Sequence, residues 1–157
     1  MGFGTIAGNI VMFIAVLLLA TGTMAVFKMN IERSMGAMKE QSDQLSDQMK
    51  TSIHINSVVY HNSTNRIEIS IINDGQMVLD PNYIDIYVDG AFVPRDVANR
   101  TLDIDDSTYI KNANLFDHSE ILNIVVKNQN LDENINHYIR ITTQYSFMEE
   151  SNIDMQV

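Results

Sequence analysis

Four histidines, a cluster of aspartates and two Asn-X-Thr triplets are the residues of this chain whose types could do chemistry. His54, His61, His118 and His137 are scattered. No two sit at i, i+4 on a helix and no HExxH occurs, so they read as surface or half-buried side chains rather than metal ligands. Asp103, Asp105 and Asp106 form the densest carboxylate group. A calcium loop needs six to eight oxygens, with a glycine and a closing glutamate at set positions, and neither follows here. The cluster reads as a solvated acidic loop. The chain has no cysteine, which removes disulfides, zinc–thiolate sites and a thiol nucleophile. GxSxG, P-loop and GxGxxG patterns are absent, and glycine is scarce after Gly90. The expectation is a protein that is not an enzyme and has no cofactor. The triplets at Asn62 and Asn99 are candidate glycosylation sites, both in expected turns.

The elements that position these residues begin with an apolar stretch. Residues 1–27 carry no charged side chain. As a helix, residues 5–27 span roughly 34 Å, enough to cross a hydrocarbon core of about 30 Å. Only a helix satisfies its own backbone in lipid. No basic residue precedes the run, and it exceeds the apolar core of a secretory signal, so residues 1–27 read as an uncleaved transmembrane helix. In residues 28–51, Ile31, Met35, Met38, Ser42, Leu45 and Met49 follow the 4-3 rhythm of a helix seam. No proline interrupts. The two segments read as one helix from about residue 3 to about residue 50, its amphipathic part packing on the sheet domain, a second copy or another membrane protein.

From residue 52 the period changes to 2, and residues 52–157 read as a β-sandwich domain. Residues 52–60 and 66–73 form a hairpin around the 62–65 turn, with Ile67, Ile69 and Ile71 inward. Residues 77–80 are a short extended piece. Residues 84–88 place Ile84, Ile86 and Val88 inward, and Asp89-Gly90 is a type I′ turn signal leading to a partner strand at 91–94. Further strands are expected at 101–104, at 121–127 and, as one long strand, at 136–147, with Tyr138 and Thr142 packing. The acidic tail 148–157 reads as frayed. Short strands with no helix between them argue for an all-β antiparallel immunoglobulin-like sandwich and against a parallel sheet.

Net charge is −10. Residues 28–51 hold four basic and four acidic side chains, residues 52–157 six and sixteen, so the imbalance lies in the sandwich. Such a surface repels phosphate backbones, excludes nucleic acid and suits a cationic partner. Lys28, Arg33 and Lys39 follow the anchor, and by the positive-inside rule they would hold the sandwich in the cytoplasm.

The opening MGFGTIAGNIVMFIAVLLLATGT, the Met-rich linker and the block ISIINDGQMVLDPNYIDIYVDGAFVPR together resemble the archaeal archaellum (flagellum) protein F family over nearly the whole chain. The most specific part is Asn73-Asp74-Gly75, then Leu79-Asp80, then residues 84–90. The resemblance implies a stator component with a type IV pilin-like membrane helix and a sandwich outside the cell that binds the S-layer protein. It implies work with the paralogous archaellum protein G, as a homodimer or hetero-oligomer, and sets aside the charge count on topology. Candidate contacts are the tip at Asp89 and Gly90 and the loop at Asp103, Asp105 and Asp106. The opening also resembles archaellins, which carry a basic pair before a glycine cleavage site. Nothing basic precedes Gly2 here, so no processing is expected. A filament subunit and a membrane-tethered ligand-binding module are the competing readings.

Overall fold

Why residues 3–50 form one helix follows from what they lack: both prolines of the chain lie far downstream, at positions 81 and 94. In the computed structural model, which describes residues 3–105, 107, 112, 114–132 and 134–156, α1 runs without interruption over Phe3–Lys50. Two hydroxyls in its apolar part are satisfied within the helix. Thr21 Oγ1 donates to the Leu17 carbonyl at 2.9 Å and Thr23 Oγ1 to the Leu19 carbonyl at 3.0 Å. The segment can thus be apolar outside and hydrogen-bonded inside. The helix stops at Thr51, whose hydroxyl turns back to the Asp47 carbonyl at 2.8 Å. The chain divides into two units, Met1–Gln44 and Leu45–Val157.

The second unit is a two-sheet β-sandwich. β1 (Ile53–His61) and β2 (Arg66–Asn73) form the expected hairpin. It closes on a one-turn 3₁₀ segment, Asn62–Thr64, and on Asn65 at φ 51°, a left-handed position that asparagine tolerates. β3 (Asp85–Val88) and β4 (Ala91–Phe92) form a second hairpin. Its turn residues Asp89 and Gly90 have φ of 50° and 81°, the pair of positive values a type I′ turn demands. β5 (Arg100–Ile104), β6 (Ile121–Val126), β7 (Tyr138–Thr142), β8 (Met148–Asn152) and β9 (Asp154–Gln156) complete the domain. One sheet runs β5-β6-β2-β1-β9, the other β4-β3-β7-β8. The core between them is mostly isoleucine and valine, with Ile67, Ile71, Ile84, Ile86, Ile124 and Ile141 fully buried. Burying each contributes about 1.5–3 kcal/mol, in the absence of any cross-link.

Three expectations are corrected. The long strand at 136–147 is in fact β7 followed by a turn that ends just before β8. The Phe147 carbonyl accepts from Thr143 N at 2.9 Å, and Ser146 adopts φ 62°. No Gly, Pro, Asn or Asp marks this turn, because a serine occupies the left-handed position. The buried parity of β7 is also the opposite one: His137, Ile139, Ile141 and Thr143 are buried, whereas Tyr138 is exposed and Thr142 half-buried. Two isoleucines gain more from burial than one tyrosine and one threonine, and Arg140 shares the parity of Tyr138. The tail is not frayed. β8 pairs with β7, Ile153 is buried between the sheets, and β9 pairs with Val59, Tyr60 and His61 in parallel, the one departure from the antiparallel pattern among the described strands. The acidic run Glu149, Glu150 and Asp154 concealed an inward-facing isoleucine.

Candidate functional site

A densely hydrogen-bonded corner of the sandwich lies where the last helical turn enters β1. Asn73 ends β2 at the inward parity set by Ile67, Ile69 and Ile71, and it is completely buried. Its Nδ2 donates to the carbonyls of Met77 at 2.9 Å and Phe116 at 2.8 Å, and its Oδ1 accepts from Gly75 N at 3.1 Å. The turn so shaped caps the helix: Gln76 N donates to the Lys50 carbonyl at 2.7 Å and Gly75 N to the Ser52 carbonyl at 3.0 Å. The Gly75 carbonyl in turn meets His118 Nδ1 at 2.7 Å. This corner secures the end of α1 to the sheet and satisfies carbonyls that a helix terminus leaves open.

The tip at Asp89 and Gly90 is exposed, and the Asp89 carboxylate is engaged from within the domain. Oδ1 accepts from Tyr138 N at 3.0 Å, and Oδ2 lies 2.5 Å from Nδ1 of His137. Nε2 of His137 faces the Asp132 carbonyl at 3.0 Å. Two acceptors around one ring call for a proton on both nitrogens. The hydrogen bond to Asp89 is the main cause holding the His137 pKa above its usual value. Burial opposes it, and the Asp132 carbonyl and the two carboxylate charges add to it. A raised folded value means that the stabilisation is full below about pH 6.5, where the unfolded chain is also protonated, and fades as pH rises through the folded value. Thermal melts are therefore expected to lose stability as pH rises above about 6.5, and His137→Gln is expected to remove most of that difference. A variant as pH-sensitive as the parent over this range would exclude the pair as its source.

Asp103 projects from β5, exposed, opposite Asn123. Asp105 follows the strand, its Oδ1 accepting from the Ser107 hydroxyl at 2.7 Å and from Ser107 N at 2.9 Å. The hydroxyl first, then the amide, lower its pKa below the ordinary carboxylate value. Asp106 lies outside the described residues. Asn62 is exposed in its 3₁₀ turn, whereas the Asn99 amide nitrogen is held 2.9 Å from both Asp96 oxygens. Of the helix stripe, Ile31, Met35 and Met38 in the first unit and Leu45 and Met49 in the second are all exposed. The structure does not bring these groups into one cluster, and among the described residues no three His, Asp or Glu side chains converge as a metal site.

Arg100 was not anticipated. It opens β5 on the parity of Leu102 and Ile104 and is only 2% exposed. One guanidinium nitrogen donates to the Ile84 carbonyl at 2.7 Å, while Nε and Nη2 are buried without a protein partner. Burial lowers its pKa, the Arg95 charge adds to this and the Asp85 charge opposes it. The signal for Arg100 and Asn73 was strand parity, which placed a polar residue on an otherwise apolar face.

The archaeal-type flagellin family profile matches residues 2–146. No curated protein sequence matches the chain. Among solved structures, the archaellum periplasmic stator protein FlaG from Sulfolobus acidocaldarius is 15% identical, with a TM-score of 0.51 over 65% of this chain and 98% of that one. The archaeal flagellum of Methanospirillum hungatei strain JF1 is 9% identical, with a TM-score of 0.62 over 96% of this chain and 93% of that one. Both share the fold, a long N-terminal helix or its sandwich sequel, at identities that speak for architecture alone. With the family profile covering nearly the whole length, the chain belongs to the archaeal-type flagellin family, as a structural component of the archaellum rather than an enzyme.

Proposed function

We propose that this protein is a stationary, membrane-held archaellum component of the stator type, with the anchor in the cell membrane and the sandwich outside, gripping the S-layer protein. The observation that carries the reading is the charge step along α1. Residues 1–27 hold no charge, and Lys28–Lys50 hold four basic and four acidic side chains. A filament core built by packing such helices on all sides would bury those eight charges, each at a cost of several kcal/mol if unpaired. A single helix crossing lipid and emerging into water keeps them solvated. The stripe Ile31, Met35, Met38, Leu45 and Met49 is the proposed seam for a second copy or for a paralogue of the archaellum protein G type. The acidic strand and loop at Asp103, Asp105 and Asp106, with the tip at Asp89 and Gly90, are the proposed contacts to a cationic region of the S-layer. Asn62 is the better placed of the two glycan acceptors.

A filament subunit is the second reading, supported by likeness to the Methanospirillum filament protein over 96% of this chain. A ligand-binding module has less support. The depression lined by Ser57, Glu68, Ser70 and Asn123 measures about 220 Å³, below the roughly 300–1,000 Å³ of small-molecule sites. The test is fractionation of the tagged full chain from cells whose filaments have been sheared off. The expected result is retention in membranes, with S-layer fragments co-purifying and released by salt. Recovery in the sheared filaments as a major subunit would overturn the stator reading.

A further inference from the structure

The outward face of the four-stranded sheet carries side chains that the core does not use. Phe92 on β4 stands opposite Tyr87 on β3, Tyr87 opposite Arg140 on β7, and Arg140 opposite Glu150 on β8, one row across all four strands. Tyr138 flanks Arg140 two residues along β7. At the other end, the Arg95 guanidinium lies over the Tyr83 ring at 5.7 Å. The Tyr87 and Phe92 rings are 5.6 Å apart and inclined by 58°. Tyr83 is 55% exposed, Phe92 49% and Tyr138 37%. Aromatic side chains left in water on a strand face, beside arginines, have the composition of a binding surface rather than of ordinary solvated strand positions.

Charge and size narrow the occupant. Both arginines are already neutralised, Arg95 by Asp85 at 2.7 Å and Arg140 by Glu150. The face is thus locally neutral on a chain of net charge −10. An anionic polymer is repelled by the rest of the domain, and a cationic segment finds freer carboxylates elsewhere. Four strands by about four residues cover roughly 250 Å², far short of the roughly 800 Å² per partner of a stable protein interface. That area suits a short chain of sugar rings. A pyranose presents a C–H face to an aromatic ring and pairs of hydroxyls at its edge, and the planar guanidinium and carboxylate groups of Arg140, Glu150, Arg95 and Asp85 are built to meet hydroxyl pairs two at a time. We propose that this face, centred on Tyr87, Phe92, Tyr138 and Arg140, binds a neutral oligosaccharide of hexopyranose units. The proposal does not depend on the stator reading.

The chain contains no tryptophan, and three of its six tyrosines, Tyr83, Tyr87 and Tyr138, are on this face, so intrinsic tyrosine fluorescence reports on it directly. The full chain, held in a detergent without a sugar headgroup, is titrated with maltohexaose, cellohexaose and mannohexaose up to about 20 mM. The expected result is a saturable change with at least one of them, with a midpoint in roughly the millimolar range. It should weaken by about 10-fold or more in the Tyr87→Ala/Phe92→Ala variant and persist in Glu68→Ala on the other sheet. Thermal melts establish that both variants are folded, and Arg140→Met, which keeps the stem and removes the donors, provides a second variant with the aromatic face intact. No saturable change with any of the three sugars, or a change of parental strength in both the double variant and Arg140→Met, would overturn the proposal.

Discussion

Gly75→Ala is expected to lower the stability of the sandwich by about 3 kcal/mol, a fall of on the order of 10 °C in Tm. A Cβ at this position would collide with the Ser52 amide nitrogen and sit 2.7 Å from the Lys50 carbonyl oxygen and 3.1 Å from that of Ser52. All three are backbone atoms, so no side chain can rotate aside. Relief requires the Asp74–Gln76 turn to withdraw, which breaks the bonds from Gly75 N to Ser52 and from Gln76 N to Lys50 and disturbs the buried Asn73 amide. Each lost bond costs about 1 kcal/mol and the overpacking about 1–3 kcal/mol. Gly90→Ala is the matched comparison. Its φ of 81° makes alanine strained, but the nearest obstacle is the Tyr138 hydroxyl at 3.4 Å, the movable end of a side chain, so its cost should be about 1 kcal/mol. Circular-dichroism melts of the full chain in detergent rank the two. If Gly90→Ala proved the more damaging, the corner at Asn73 and Gly75 would not be the joint that secures the end of the helix.

The second large effect concerns the anchor. Leu17→Arg places a guanidinium near the middle of the uncharged stretch, on a helix whose apolar side chains Val16, Leu17, Leu18 and Leu19 are all exposed in the protein itself. At the centre of a bilayer, arginine costs about 2.5–3.5 kcal/mol on the insertion scale, roughly a 100-fold shift in partition. The chain is expected to leave the carbonate-washed membrane fraction, whereas Leu17→Ile stays. Lys28→Arg, just beyond the apolar stretch, should also stay, because a cation there already lies in or near the headgroups. Retention of Leu17→Arg in washed membranes, at parental levels, would show that residues 5–27 are not what holds the protein there.

These expectations differ in how they could be reached. The anchor effect follows from the sequence, because the number of consecutive uncharged residues and the rise of a helix decide whether a segment can span lipid. The same holds for α1, for the two hairpins and for the alternation that buries Ile67, Ile69, Ile71, Ile84 and Ile86. Local period, missing prolines and the Asp89-Gly90 turn act over a few neighbouring residues, and nothing distant needs to be known. A resemblance to archaellum proteins is also legible, in the Asn73-Asp74-Gly75 turn and the strand block after it, and the family profile over residues 2–146 places the chain in the archaeal-type flagellin family.

Where two local readings competed, the sequence left the choice open. Residues 136–147 alternate in both parities, and only the pairing of Ile139 and Ile141 with Val88 and Ile86 in the core selects which one is buried. A serine stood in for glycine at the turn before β8, so the turn carried no local mark. The tail is acidic along its length, and Ile153 became a core residue only because two sheets close around it. His137 and Asp89 are 48 residues apart, Arg100 and Ile84 are 16 apart, and Gly75 meets Lys50 and Ser52 through a corner formed by different elements. The sequence by itself determined the uncharged stretch, the helix, the strand pattern and the charge of the domain, because those depend on spacing and composition along the chain. The joint, the buried arginine, the protonated histidine clip and the aromatic face were decided by the tertiary structure, because each depends on the register in which distant strands pair.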